Sequence, residues 1–167
     1  SLGASGDLAP LSHMSLSMMG EGLCSVYQGN KWVILDSSKA LSDAGLSPIR
    51  LQAKEGLSLI NGTSQMCAYL TATLLNMETL VMAADASVAS SVEAIKGSHM
   101  PFDRRIHETR PQYGQSVSAA RISGLLSGSE IVISHAGCDR VQDAYCFRCS
   151  PQVHGPVIDL LRETRRM

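Results

Sequence analysis

Aromatic side chains are scarce in this chain: one Trp, two Phe and four Tyr among 167 residues. With Ala, Leu, Ser and Met prominent instead, the β-branched and aromatic set that builds sheets is thin, and helix is the expected default. An excess of charge of either sign is also missing. Fourteen Lys and Arg against fifteen Asp and Glu leave a formal charge of −1, so nothing favours phosphate backbones or anionic lipid, and neither nucleic acid nor membrane is an expected partner. No apolar run approaches the roughly 20 residues of a bilayer span, and no charged segment followed by an apolar block and a cleavage site opens the chain. The expectation is a cytoplasmic protein.

Cysteine is present but unpaired in pattern. Cys24, Cys67, Cys138, Cys146 and Cys149 are an odd number at irregular spacing, which argues against a disulfide framework and for reduced thiols. Cys146 and Cys149 form a lone CxxC, whereas zinc needs four ligands and no second pair at ligand spacing lies nearby. No metal is expected; buried small thiols are the plainer reading.

What is there in quantity is apolar: 44% of the chain is hydrophobic, enough for one sizeable core. After Asp7, a candidate N-cap, Leu8, Leu11, Ser15 and Met18 recur at helical spacing until Gly20 and Gly22. Two short apolar pieces flank Gly29-Asn30, the pattern of a small hairpin. A short helix is expected from Ser37 or Ser38 to Gly45. The strongest period runs from about Thr63 to Lys96, where Met66, Leu70, Leu74, Met77, Val81, Ala84, Val88, Val92 and Ile95 form one apolar stripe. Gly97 closes it, a polar loop broken by Pro101 and Pro111 follows, and further helices are expected over 115–126 and from Pro151 to Arg166. So long a stripe needs more packing partners than the chain supplies, so the fold expected is all-α, a long-helix bundle forming one part of a larger helical domain.

The chemistry gathers at "GASGDLAPLSHM". Ser5 lacks a GxSxG frame, and a serine in a short loop is most often a turn or cap residue. The triplet permits another reaction, since Gly6 can bring an unhindered amide nitrogen onto the Ala4 carbonyl while the Ser5 hydroxyl leaves by elimination. The product is an electrophile made from backbone.

This stretch resembles the signature of the aromatic amino acid ammonia-lyases, whose Ala-Ser-Gly cyclises to 4-methylidene-imidazol-5-one (MIO). "KEGLSLINGT" over 54–63 and "VQDAYCFRCSPQVHG" over 141–155 are similar to the family's second and third signatures, in the same order. The third is similar to the histidine-specific form; the phenylalanine and tyrosine forms usually carry Trp-Leu where Val153 and His154 stand.

The resemblance implies a histidase/fumarase-like fold, with residues 1–167 as the central part of the catalytic domain, and conversion of L-histidine to trans-urocanate and ammonia. It implies that Ala4, Ser5 and Gly6 form the MIO, that Asp7 assists its closure, and that Asn61 hydrogen-bonds near it. Gln142, Tyr145 and Arg148 match the family's polar cluster, with Arg148 as the clamp on the substrate carboxylate. Their three-residue steps suggest one side of a helical or near-helical turn. A guanidinium suits the clamp because it offers two parallel hydrogen bonds to one carboxylate. The family also assembles as a homotetramer whose sites draw residues from several chains, so this stretch alone is expected to lack turnover. Two alternatives stay open: a phenylalanine or tyrosine ammonia-lyase or aminomutase, and a non-catalytic helical assembly module in which the triplet never cyclises. His13, His99, His107, His135 and His154 match no family catalytic position and are expected to be solvated or packed.

Overall fold

The computed structural model describes residues 7–167; Ala4, Ser5 and Gly6 lie outside the described residues. The fold is mostly helical, as expected, and divides into two compact units, one reaching Thr71 and the other running Ala72–Met167.

In the first unit, helix α1 spans Ala9–Met18, with Pro10 in its first turn, where the missing N–H costs nothing. Leu8 rather than Asp7 occupies the N-cap position; the Asp7 carboxyl accepts the Ala9 N–H at 3.3 Å instead. Strands β1 (Leu23–Gln28) and β2 (Lys31–Asp36) pair antiparallel with Tyr27 opposite Trp32. Gly29 and Asn30 both have positive φ, 56° and 65°, the backbone of a tight turn whose twist matches its strands. Helix α2 (Ser37–Asp43) ends before Gly45, φ 70°, and α3 spans Glu55–Ile60. The Glu55 carboxylate accepts the Gln52 N–H at 2.7 Å, while Lys54 takes a left-handed φ of 74° just before α3.

Helix α4 (Ser64–Ala94) is the expected long helix. Its buried positions, Val81, Asp85, Ala89 and Val92, all fall in the C-terminal half, whereas Met66 and Leu70 near its start are exposed. One expectation is corrected here. Glu55–Ala94 is long and apolar enough, by length and composition, to cross a membrane. The property is spread over Ala, Thr and Ser between larger residues, so no unbroken apolar run betrays it. Within this stretch, α4 buries the Asp85 carboxyl against Ser118 and His154.

The second unit holds the core: Ala89, Val92, Phe102, Ile122 and Leu126, with Val88 and Phe147 packed against it. Phe102 sits on a 3-10 turn, Met100–Phe102, and α5 (Arg104–Glu108) follows. The stretch expected as a polar loop is therefore partly core, because Phe102 and His107 are each 1% exposed. His107 is a packed histidine: Nε2 lies 3.1 Å from the Pro101 carbonyl and Nδ1 2.9 Å from the Gln115 amide. Helix α6 (Tyr113–Leu125) packs on α9 (Ser150–Thr164). Between them lie α7 (Glu130–Ser134), capped by the Ser129 hydroxyl accepting from Val132 N–H at 3.0 Å, and the single-turn α8 (Tyr145–Arg148). The cysteines are also corrected: Cys67, Cys138 and Cys146 are exposed and Cys24 and Cys149 half-buried. Cys24 is on strand β1, Cys67 on α4, Cys146 on the short helix that precedes α9, and Cys138 and Cys149 outside helix and strand; periodicity around small residues does not distinguish outward positions from inward ones.

Candidate functional site

Residues 138–144 carry no helix or strand before α8 begins, so their backbone must be satisfied by other means. Asp143 provides much of this. Its side chain is 4% exposed; Oδ2 accepts the Ser98 N–H at 2.6 Å and Oδ1 the Arg140 guanidinium at 3.3 Å. Arg140 also donates to the Ile95 carbonyl at 3.1 Å, near the end of α4. This irregular strap is thus tied to the turn that follows the long helix.

Tyr145 and Arg148 open and close α8, and the Arg148 guanidinium lies over the Tyr145 ring, 5.4 Å from its centre. Such a placement suits a cation on an aromatic face. Arg148 Nε donates to the Asp143 carbonyl at 3.0 Å. Among the described residues no hydrogen bond occupies its two terminal nitrogens. Gln142 and Arg148 line one cavity of about 390 Å³ with Ser98, Ile106 and Gln152. Gln142 also lines a neighbouring cavity of about 340 Å³ with His99, His135 and Cys138.

The expected single turn carrying Gln142, Tyr145 and Arg148 is therefore corrected in part. Tyr145 and Arg148 share α8, whereas Gln142 is on the irregular strap before it and lines one cavity with Arg148. The three-residue spacing does not carry back to Gln142 because Ala144, the N-cap, has an extended ψ of 144°. Asn61 stands in the first unit as the C-cap of α3, its N–H donating to the Leu57 carbonyl at 2.9 Å. Asp7 stands just before α1, where helix N–H groups give a positive end to the dipole. Among the described residues no group of three or more His, Cys, Asp or Glu is placed to hold a metal. Sequence reading passed over Asp143; the only signal for it is its place between two residues of the polar cluster.

A helical body with one long helix, a small hairpin and an arginine presented to a cavity is the class of protein defined so far. The model of the family described as "Aromatic amino acid lyase" matches residues 1–167, and the chain belongs to that family. It is 51% identical over 159 residues to histidine ammonia-lyase of Sorangium cellulosum (strain So ce56), covering 95% of this chain and 30% of that protein. The crystal structure of histidine ammonia-lyase from Trypanosoma cruzi is 37% identical, with a TM-score of 0.75, covering 94% of this chain and 28% of that one. Phenylalanine ammonia-lyase from Rhodosporidium toruloides is 35% identical, with a TM-score of 0.79, covering 96% and 24%. The chain spans about a third of the length of the curated relatives it matches. Shape alone does not separate the substrates, since a fold hosts chemistry without fixing its specificity.

Proposed function

We propose that residues 1–167 are the central part of the catalytic domain of a histidine ammonia-lyase, which converts L-histidine to trans-urocanate and ammonia. The observation that carries this reading is Arg148: half-buried, held at Nε by the Asp143 carbonyl, and turned with Gln142 into one cavity. That is how a carboxylate clamp is built, with one edge of the guanidinium anchored and the other open for a bidentate pair. The histidine substrate is supported by the histidine ammonia-lyases among the relatives and by the Val153-His154 pair in the third signature.

The residues fit an MIO. Ala4 offers the carbonyl, Gly6 the unhindered nitrogen and Ser5 the hydroxyl to be eliminated, and Asp7, assisting closure, is held against the first turn of α1. The group supplies an electrophilic methylidene, which helps with the problem that an amine leaves poorly and a β-hydrogen is barely acidic. In this reading Arg148 fixes the substrate carboxylate and so the position of the β-carbon. Gln142 orients the substrate, and Tyr145 hydrogen-bonds its amine or relays a proton. The Asn61 amide donates to an oxygen that gains electron density, bringing no charge of its own. The complete protein is read as a cytoplasmic homotetramer with shared sites, and the exposed start of α4 as a surface such an assembly covers.

The test is turnover by the complete protein with L-histidine, L-phenylalanine and L-tyrosine, together with its intact mass. Urocanate with a mass short by two waters is expected. Cinnamate or coumarate instead would reassign the substrate, activity at the unmodified mass would remove the MIO, and no turnover with an unmodified triplet would leave a helical assembly module.

A further inference from the structure

We infer that Asp143 is a positioning residue for the reaction: its buried carboxyl sets the strap so that its own carbonyl oxygen aims the Arg148 guanidinium. This rests on Arg148 being the carboxylate clamp.

A clamp must present two terminal N–H groups in a fixed plane, because a misplacement of about 1 Å costs on the order of a hundredfold in rate. Two contacts define that plane here, the Nε–H bond to the Asp143 carbonyl at 3.0 Å and the Tyr145 ring 5.4 Å below. Tyr145 is itself exposed and one turn away on the same short helix. The carbonyl is the stiffer reference only if residue 143 is held. No helix or strand holds it, for the chain is irregular from 138 to 144.

The side chain does so. Oδ2 takes the Ser98 N–H, 45 residues away in sequence, at 2.6 Å, and Oδ1 takes Arg140 at 3.3 Å. Hydrogen bonds to a charged acceptor are the strong kind, and a buried one resists exchange with water. One residue thus joins the turn after α4 to the clamp, through its side chain on Ser98 and its carbonyl on Arg148. The fit is close. A Cβ at Gly97 would stand 3.2 Å from Asp143 Oδ2 and 3.1 Å from Val92 Cγ1, so glycine there gives the carboxyl its room.

The experiment uses the complete protein and compares two inhibitors, urocanate, which carries a carboxylate, and histamine, which does not. The readout is the ratio of their inhibition constants, beside KM and kcat for L-histidine. Arg148→Lys is the benchmark and should collapse the preference for urocanate. Asp143→Ala should lower the same ratio about tenfold or more and raise KM by a similar factor. Asp143→Asn, which keeps an oxygen for Ser98, should recover part of it, and Asp143→Ala combined with Arg148→Lys should be little worse than Arg148→Lys alone. Should Asp143→Ala not fold, Gly97→Ala displaces the carboxyl without removing it from the chain, and the same fall in ratio is expected. Equal weakening of both inhibitors, or an unchanged ratio in the Asp143 and Gly97 variants, overturns the inference. An unchanged ratio in Arg148→Lys, or a wild-type protein that does not deaminate histidine, overturns the underlying reading of the clamp instead.

Discussion

Gly114 and Gly155 bring the backbones of α6 and α9 into direct contact. A Cβ at Gly155 would lie 2.5 Å from the Gln115 nitrogen and 2.8 Å from its Cα, and one at Gly114 would meet the Gly155 carbonyl. The Gly114 N–H also donates to Asp159 Oδ1 at 2.9 Å, so α9 satisfies a donor at the start of α6. Because the opposing atoms are backbone, nothing can move aside. Gly114→Ala and Gly155→Ala should each destabilise by about 1–3 kcal/mol or more through overpacking. Gly124, in the same helix α6, has nothing within 4 Å of a Cβ, so Gly124→Ala should instead gain about 0.4–1 kcal/mol. Denaturant titration of the three variants checks the opposite signs.

Asp85 is the second device joining α4, α6 and α9. Its carboxyl is wholly buried and accepts from Ser118 Oγ at 2.5 Å, from His154 Nδ1 at 2.8 Å and from Arg121 Nη1 at 3.4 Å. The Arg121 contact is long and its side chain 39% exposed, so Ser118 and His154 carry most of the compensation. Removing one partner strands a buried polar group, which costs more than the bond itself contributes. His154→Leu should therefore destabilise by about 1–3 kcal/mol. Asp85→Leu should cost less than the two single effects suggest when combined with His154→Leu, because the pair then leaves nothing unpaired. A thermal double-mutant cycle measures that coupling; additive effects would contradict it.

The elements that local rules dictate were legible in the residues. Gly29-Asn30 announces the hairpin because only such residues take positive φ cheaply, and the 3.6-residue stripe announces α4 because one helix face repeats. Elsewhere distant partners decide. Phe102 sits in a polar stretch and enters the core on a single 3-10 turn, too short for any period. Asp85 interrupts the apolar face of α4, and its tolerance depends on residues 33 and 69 positions away. The candidate site divides in the same way. Arg148 and Tyr145 stand together through local spacing, while the tie from Asp143 to Ser98 is non-local.

Acid should weaken the start of α5. Asp103 caps this helix, accepting the Arg105 N–H at 2.9 Å and the Arg105 guanidinium at 2.6 Å. Chiefly through that side-chain bond, then the backbone one, its pKa falls from the ordinary 3.8 to about 2, and that of Arg105 rises. A carboxyl with a depressed folded pKa contributes stability that is fully present above the unfolded value and lost as pH falls through the folded one. The window here lies between 3.8 and about 2. Carboxyl NMR titration should place the Asp103 midpoint near 2, and Arg105→Gln should move it upward only part of the way, since the backbone bond survives.

The hairpin offers a local test of turn geometry. Gly29 has φ 56° and open space around a Cβ, so any penalty for a side chain there is backbone strain rather than collision. For an L-residue the left-handed region costs about 1–2 kcal/mol, and a β-branched side chain is the worst suited. Asn tolerates it. Gly29→Val should therefore open the hairpin and Gly29→Asn should not, although both fill the same empty volume. The neighbour limits what Asn30→Gly can gain: Asn30 Oδ1 accepts the Tyr27 hydroxyl at 2.8 Å, beside the edge-to-face contact of Tyr27 with Trp32 at 5.3 Å. Hydrogen exchange at the strand amides reads the effect directly, because such an element opens without global unfolding. Loss of protection in Gly29→Val alone is the expected outcome; equal loss in Gly29→Asn would mean that side-chain bulk, not φ, governs the turn.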